Sequence, residues 1–195
     1  MDTATKGRLV VVSGTSGAGK TTLMKRVLGC CAVPLAPSVS ATTRPPRQGE
    51  ADGIDYHFLT PQEFVHRREQ GEFLECFEVF GRGHWYGTLR SEVSSSLRGG
   101  KWVVLQIDVQ GARAVVEQYP DAVTIFVRPS SIDELQRRLR HRGTETEEAL
   151  QARLERAKHE LEQADRYRYV VINDDVDRAV AEICEILTHE FHLGG

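Results

Sequence analysis

Near the amino terminus, Gly14-Thr15-Ser16-Gly17-Ala18-Gly19-Lys20-Thr21 sets glycines, a lysine and a hydroxyl at the spacing GxxxxGK[ST]. Such a loop turns backbone N–H groups inward around an anion, its lysine reaches the outer oxygens of a polyphosphate, and its threonine hydroxyl suits Mg²⁺. It directly follows the apolar run Leu9 to Val12 and opens a helix-like stretch, the context this chemistry requires; elsewhere the same residues would make only a Gly-rich turn. A carboxylate partner for the metal is expected at the end of a buried strand. Val103-Val104-Leu105-Gln106-Ile107-Asp108 supplies Asp108 there, as a metal ligand or as the N-cap of the next helix, two compatible roles.

A phosphate loop implies a nucleoside triphosphate but leaves the second substrate open. Ser38-Val39-Ser40-Ala41-Thr42-Thr43-Arg44-Pro45-Pro46-Arg47 gathers hydroxyls and two guanidinium forks on a backbone stiffened by prolines. Guanidinium groups suit phosphate oxygens, although taken alone the segment reads more simply as an exposed basic loop. Arg137, Arg138, Arg140, His141 and Arg142, with Arg153 further on, read by themselves as a solvated helix face.

The elements that must position these groups follow from periodicity. Leu9 to Val12, Trp102 to Ile107, Ala122 to Val127 and Tyr169 to Ile172 barely alternate, so they read as strands buried on both faces, each followed by a helix-like segment. Strands alternating with helices predict a doubly wound α/β core: a parallel sheet with helices on both faces. From about Pro37 to Arg90 the texture changes to turn residues between short aromatic-bearing strand candidates, which predicts an inserted subdomain. Within it Thr60-Pro61-Gln62-Glu63 predicts a capped helix ending near Gly71. Thr144 with Glu147 predicts a second capping box, opening a helix with Leu150, Leu154, Ala157 and Leu161 on one face and the rest solvated.

The chain of 195 residues, 40% hydrophobic and 27% charged, suits one compact unit with a full core. Its net charge of −3 argues against general nucleic-acid binding, which usually needs a basic excess. Cys30, Cys31, Cys76 and Cys184 show no CxxC spacing, and the polar start and the lack of a long apolar stretch predict neither a secretion signal nor a membrane span. A cytoplasmic protein with reduced thiols is expected.

Over nearly its whole length the sequence resembles the guanylate kinases. The matching stretches are the phosphate loop, Ser38 to Arg47, Gly53-Ile54-Asp55-Tyr56, Gly71-Glu72-Phe73-Leu74-Glu75, Trp85-Tyr86-Gly87-Thr88, Ile107-Asp108-Val109-Gln110-Gly111, Arg142-Gly143-Thr144-Glu145 and Asn173-Asp174. The resemblance implies a P-loop NTPase fold with three parts: a core (1–37, 91–141 and 167–195), a mixed α+β subdomain for the nucleoside monophosphate (38–90) and a helical lid (142–166). It implies ATP on Gly14, Thr15, Ser16, Gly17, Ala18, Gly19, Lys20, Thr21, Thr22, Arg142 and Asn173, with Mg²⁺ on Thr21 and Asp108. The GMP phosphate would lie against Arg44, Arg47, Tyr56 and Tyr86, and guanine against Ser40, Glu75 and Thr88, with Gln106 and Asp108 completing that site.

One departure stands out: where the family usually has an acid two residues before the strand-end Asp, this chain has Gln106, an uncharged acceptor with an NH₂ group to satisfy. The Phe80-Gly81-Arg82-Gly83-His84 turn is longer than usual, leaving Arg82 and His84 without a role. By the same resemblance Lys20, Arg47, Arg142 and Arg153 carry transfer of a phosphoryl group from ATP to GMP, and to dGMP. Closure is expected about Pro37, Arg90 and Gly143, to keep water from the reacting group. Two rivals remain: a non-catalytic protein-binding module, which typically loses the phosphate-loop lysine or the acceptor-site residues this chain keeps, and a related kinase acting on a sugar phosphate. Glu75 with Thr88 separates the second, since a sugar phosphate offers no guanine edge.

Overall fold

The computed structural model describes residues 7–78, 83–141 and 147–194. Arg142, the hinge expected at Gly143, the Thr144 cap and the Phe80-to-Arg82 part of the long turn fall outside the described residues. In chain order, β1 (Leu9–Gly14) leads through the phosphate loop into α1 (Lys20–Cys30), followed by β2 (Leu35–Pro37), β3 (Ser40–Thr42) and β4 (His57–Phe58). Then come α2 (Pro61–Glu69), β5 (Phe73–Glu78), β6 (Trp85–Leu89), α3 (Arg90–Arg98), β7 (Trp102–Gln106) and α4 (Val109–Gln118). The chain continues through β8 (Val123–Arg128), α5 (Ile132–His141), α6 (Glu147–Leu161), β9 (Tyr169–Ile172) and α7 (Val176–Leu193).

The apolar runs become one sheet of order β2-β7-β1-β8-β9, with β2–β7, β1–β8 and β8–β9 parallel. Val10, Val11 and Val12 of β1 and Val123, Ile125, Phe126 and Val127 of β8 are all fully buried, as runs without alternation require. The connection from β1 runs toward the β2 edge and that from β8 toward β9. Right-handed crossovers therefore put α1 and the α5–α6 pair on opposite faces. The strand expected over Trp102 to Ile107 is regular to Gln106, and Ile107 N–H still donates to Val12 O at 3.3 Å, so Asp108 stands just beyond it in the short link before α4.

The contacts divide the chain into two compact units. One is made of Leu35–Leu105 and Gln110–Ala122 with the chain up to Leu9; the other of Val10–Pro34, Gln106–Val109 and the chain from Val123. The first holds a mixed sheet of order β4-β3-β6-β5, in which β6 runs antiparallel to both neighbours and β3 parallel to β4. One face of it buries Ala41, Phe73 and Leu89 against Phe64 of α2, whose ring stacks on Phe73 at 4.4 Å between centroids. The capping box of α2 is formed in both directions: Glu63 N–H donates to Thr60 Oγ1 at 3.2 Å, and Thr60 N–H donates to Glu63 Oε2 at 2.8 Å.

In the second unit, α1 packs on α7, and α5 packs on α6 through Leu135, Leu139, Leu150, Leu154 and Ala157. The expectation that α6 is solvated beyond its apolar stripe is corrected at Glu160, which is only 9% exposed. No helix among the described residues is long and apolar enough to cross a membrane.

Candidate active site

The phosphate loop is bent by glycines where nothing larger fits. Gly14 has φ 138°, and a Cβ there would lie 1.9 Å from Val127 O; at Gly19, φ 86°, it would lie 2.6 Å from Asn173 Nδ2. Gly19 caps α1 without any side-chain hydrogen bond, so the first N–H groups of that helix stay available to an anion. Asn173, just beyond β9, braces the loop from behind. Its Nδ2 donates to Ala18 O at 2.6 Å, while Arg138 Nη2 donates to the Asn173 carbonyl at 2.7 Å. Asn173 Oδ1 is buried without a hydrogen-bond partner among the described residues, an acceptor suited to an N–H of a ligand.

Lys20 folds back along the loop, its Nζ donating to the carbonyls of Gly14 at 2.7 Å and Thr15 at 3.0 Å. Burial pushes its ammonium below the ordinary lysine value, against the opposite pull of the Glu160 and Asp108 carboxylates. A cation held in place with two exchangeable carbonyl partners is poised for phosphate oxygens. Two groups from α6 meet at Ser16: Arg153 Nη2 donates to Ser16 Oγ at 3.2 Å, and Ser16 N–H donates to Glu160 Oε2 at 3.0 Å.

In the first unit, strand register assembles the acceptor residues. Ser40 pairs with Thr88 across β3 and β6, and Thr88 pairs with Glu75 across β6 and β5, so the three side chains form one row on the face opposite Phe64. Thr88 Oγ1 donates to Glu75 Oε1 at 2.6 Å, and both residues are buried. The register shifts between Phe73 and Glu75, a bulge that lets Phe73 face the core and Glu75 face this row.

Two residues along the same face stand Thr42 and Tyr86, and beyond them Arg44. Arg44 N–H donates to the buried Thr42 hydroxyl at 3.1 Å, which fixes the start of the basic loop. Its guanidinium lies over the Tyr56 ring at 5.2 Å and donates from Nε to the Tyr86 hydroxyl at 3.2 Å. Tyr56 is presented by a loop tied through Asp52 and Asp55, whose carboxylates accept the Phe58 and Ala51 N–H groups. Burial raises the Tyr56 phenol, so it is a neutral donor at neutral pH. Arg47, from the same loop, has an exposed side chain.

The family model for guanylate kinase matches residues 6–190. The chain belongs to the guanylate kinase family. It is 56% identical to a guanylate kinase of Rhodopirellula baltica over 187 residues, 95% of this chain and 90% of that one. It is 48% identical to that of Thermotoga maritima over 185 residues, 95% of this chain and 88% of the other. Among solved structures, a guanylate kinase from Anaplasma phagocytophilum superposes with TM-score 0.79 at 33% identity, covering 95% of this chain and 87% of that chain.

Within this guanylate kinase chain, two site residues went unread in the sequence. Glu50 grips Arg44 with both oxygens, accepting from Nη1 at 2.9 Å and Nη2 at 3.0 Å, and also accepts the Arg47 N–H at 2.7 Å. The Arg44 bonds, helped by that N–H, hold the Glu50 carboxyl below the ordinary carboxylate range. Its signal was an acid three residues after Arg47 in a turn, a common pattern with many meanings. Glu160 is the other.

Magnesium fits the donor set: Thr21 offers a hydroxyl in the first turn of α1, and Asp108 a carboxylate whose charge reaches Lys20. Mg²⁺ takes oxygen ligands and usually keeps only one or two from protein, the rest coming from water and phosphate. Among the described residues, no group of three His, Cys, Asp or Glu that could hold a metal ion is found.

Proposed function

We propose that this protein transfers the terminal phosphoryl group of ATP to GMP, giving ADP and GDP. The observation that carries the reading is the single face on which Ser40, Thr88 and Glu75 form one row and Arg44, Tyr56 and Tyr86 gather two to four residues further along. Guanine presents N1–H and N2–H donors side by side, which the Glu75 carboxylate accepts together while the Thr88 hydroxyl, donating to Glu75, orients it and the Ser40 hydroxyl serves O6. Adenine offers an acceptor at N1 and would face Glu75 unpaired, a mismatch costing about 1–3 kcal/mol when buried. Arg44 and Arg47, with the Tyr56 and Tyr86 hydroxyls, take the monophosphate. None of these assignments involves the ribose 2′-hydroxyl, so dGMP is an acceptor as well.

ATP occupies the loop from Gly14 to Thr22, with Asn173 Oδ1 as a nearby acceptor for the nucleotide and Arg142 over the phosphates. Mg²⁺ bound by Thr21 and Asp108 would supply charge neutralisation on the triphosphate. No protein base is needed, because a phosphate monoester has a second pKa of about 6 and is largely a dianion at neutral pH. The obstacle is repulsion, roughly 4 kcal/mol for each pair of like charges at about 4 Å and an effective dielectric near 20. Lys20, Arg47, Arg142 and Arg153 counter it while holding donor and acceptor in line. The division into core, monophosphate-binding subdomain 38–90 and lid 142–166 belongs to this reading, as does closure around the reacting group to exclude water. Gln106, in place of the usual acid, accepts one hydrogen bond without adding negative charge.

A coupled assay of ADP release with GMP, dGMP, AMP, UMP and ribose bisphosphate as acceptors tests the proposal. Turnover is expected with GMP and dGMP. Absence of turnover with GMP ends the reading, and turnover with the sugar phosphate alone replaces it.

A further inference from the structure

Helix α6 takes hold of the phosphate loop twice, both times at Ser16. Arg153 reaches the hydroxyl and Glu160 the N–H, and the two stand two helical turns apart on one face of α6. Arg153 already has a part in the chemistry proposed above; Glu160 has none. Its neighbours along the buried side of the helix, Leu150, Leu154 and Ala157, are apolar and pack on α5. Packing alone would favour another apolar side chain, because a buried carboxylate is unfavourable unless its oxygens are partnered.

A negative charge near a triphosphate site also opposes the ligand. Lys20 and Arg156 supply compensating positive charge around Glu160, Asp108 adds to the negative, and the backbone bond among the described residues is to Ser16. Ser16 sits between Gly14, whose backbone no other residue could adopt without striking Val127, and Gly17, also at positive φ. A stretch so short of intrinsic constraint takes its shape from whatever holds its N–H groups.

We propose that Glu160 is a positioning residue for phosphoryl transfer: by accepting the Ser16 N–H it fixes the turn of the phosphate loop that presents Lys20 to the triphosphate and keeps Ser16 beside Arg153. The inference rests on reading that loop as the ATP site.

The test compares Glu160→Ala and Glu160→Gln with Leu161→Ala, a half-buried neighbour whose loss loosens the helix without touching the loop. Calorimetric titration with a non-hydrolysable ATP analogue needs no acceptor, so it reads Glu160 even if GMP proves not to be the substrate. Glu160→Ala is expected to weaken the analogue about tenfold, raise KM for ATP and lower kcat, with KM for GMP within about twofold of the parent. Glu160→Gln, whose amide oxygen still accepts the Ser16 N–H, is expected to recover most of that loss, and Leu161→Ala to lower Tm without moving ATP affinity. Should Glu160→Ala fail to fold, Glu160→Asp withdraws the carboxylate from Ser16 while keeping its charge, and the same weakening is expected. Analogue affinity within about twofold of the parent in the folded Ala or Asp variant overturns the proposal. A Gln variant no better than Ala overturns it too, because charge rather than the Ser16 bond would then be the cause.

Discussion

In the proposed acceptor site, fitness for guanine comes down to one carboxylate, Glu75, already oriented by the Thr88 hydroxyl at 2.6 Å. Replacing Glu75 by alanine is expected to raise KM for GMP by about tenfold to a hundredfold, the equivalent of about 1–3 kcal/mol, with ATP affinity unchanged; steady-state kinetics with each substrate varied in turn reads this directly. An equal effect on both substrates contradicts the role given to Glu75. Glu50 acts on a different quantity. Its carboxyl is held low by the Arg44 bonds, so the folded pKa lies beneath the unfolded value of about 4.3, and the stability it confers is present above that value and lost as pH falls through the folded one. A Glu50→Gln variant should therefore melt at a lower temperature than the parent at neutral pH, and the gap should close in thermal scans below about pH 4. The resemblance grouped Tyr86 with Arg44, but no local pattern named Glu50: the two lie 42 and 6 positions from Arg44, and only the fold brings them to it.

The elements were legible where the pattern had one physical meaning. The apolar runs became β1, β7, β8 and β9, and β1, β7 and β8 are buried on both faces as expected, but the edge strand β9 corrects that expectation, with Val171 buried and Val170 exposed; Thr60-Pro61-Gln62-Glu63 offered both halves of a reciprocal cap, and α2 starts there. Thr60→Ala removes the acceptor for the Glu63 N–H and is expected to cost about 1 kcal/mol in denaturant unfolding while leaving kcat unchanged. The apolar stripe of α6 was equally plain, but periodicity distinguishes apolar from polar and says nothing about a polar side chain that finds a buried partner. Glu160 therefore read as solvated although it lies beneath Ser16. The cysteines gave no pairing signal either, yet Cys30 Sγ stands 3.9 Å from Cys184 Sγ where α1 meets α7.

Across the whole molecule, the residues proposed for ATP and most of those proposed for GMP fall into separate compact units, Gln106 and Asp108 being the exceptions that fall in the unit of the phosphate loop. Hydrogen exchange should show the same division: GMP is expected to slow exchange in β3, β5 and β6, and the ATP analogue in the phosphate loop and the first turn of α1. Protection by GMP confined to α1 would contradict the assignment. The phosphate loop and its helix were readable because their spacing is fixed by local backbone geometry, whereas the guanine row depends on the register of three strands separated by long connections. That row also carries a lesson for anyone transplanting such specificity. In a regular strand Phe73 and Glu75, two positions apart, would look the same way; the extra residue between them reverses one against the other. The base selection proposed here would thus be written partly as a miscount in a ladder, and a graft that copies the glutamate onto an even strand would turn either the ring toward solvent or the acid into the hydrophobic interior.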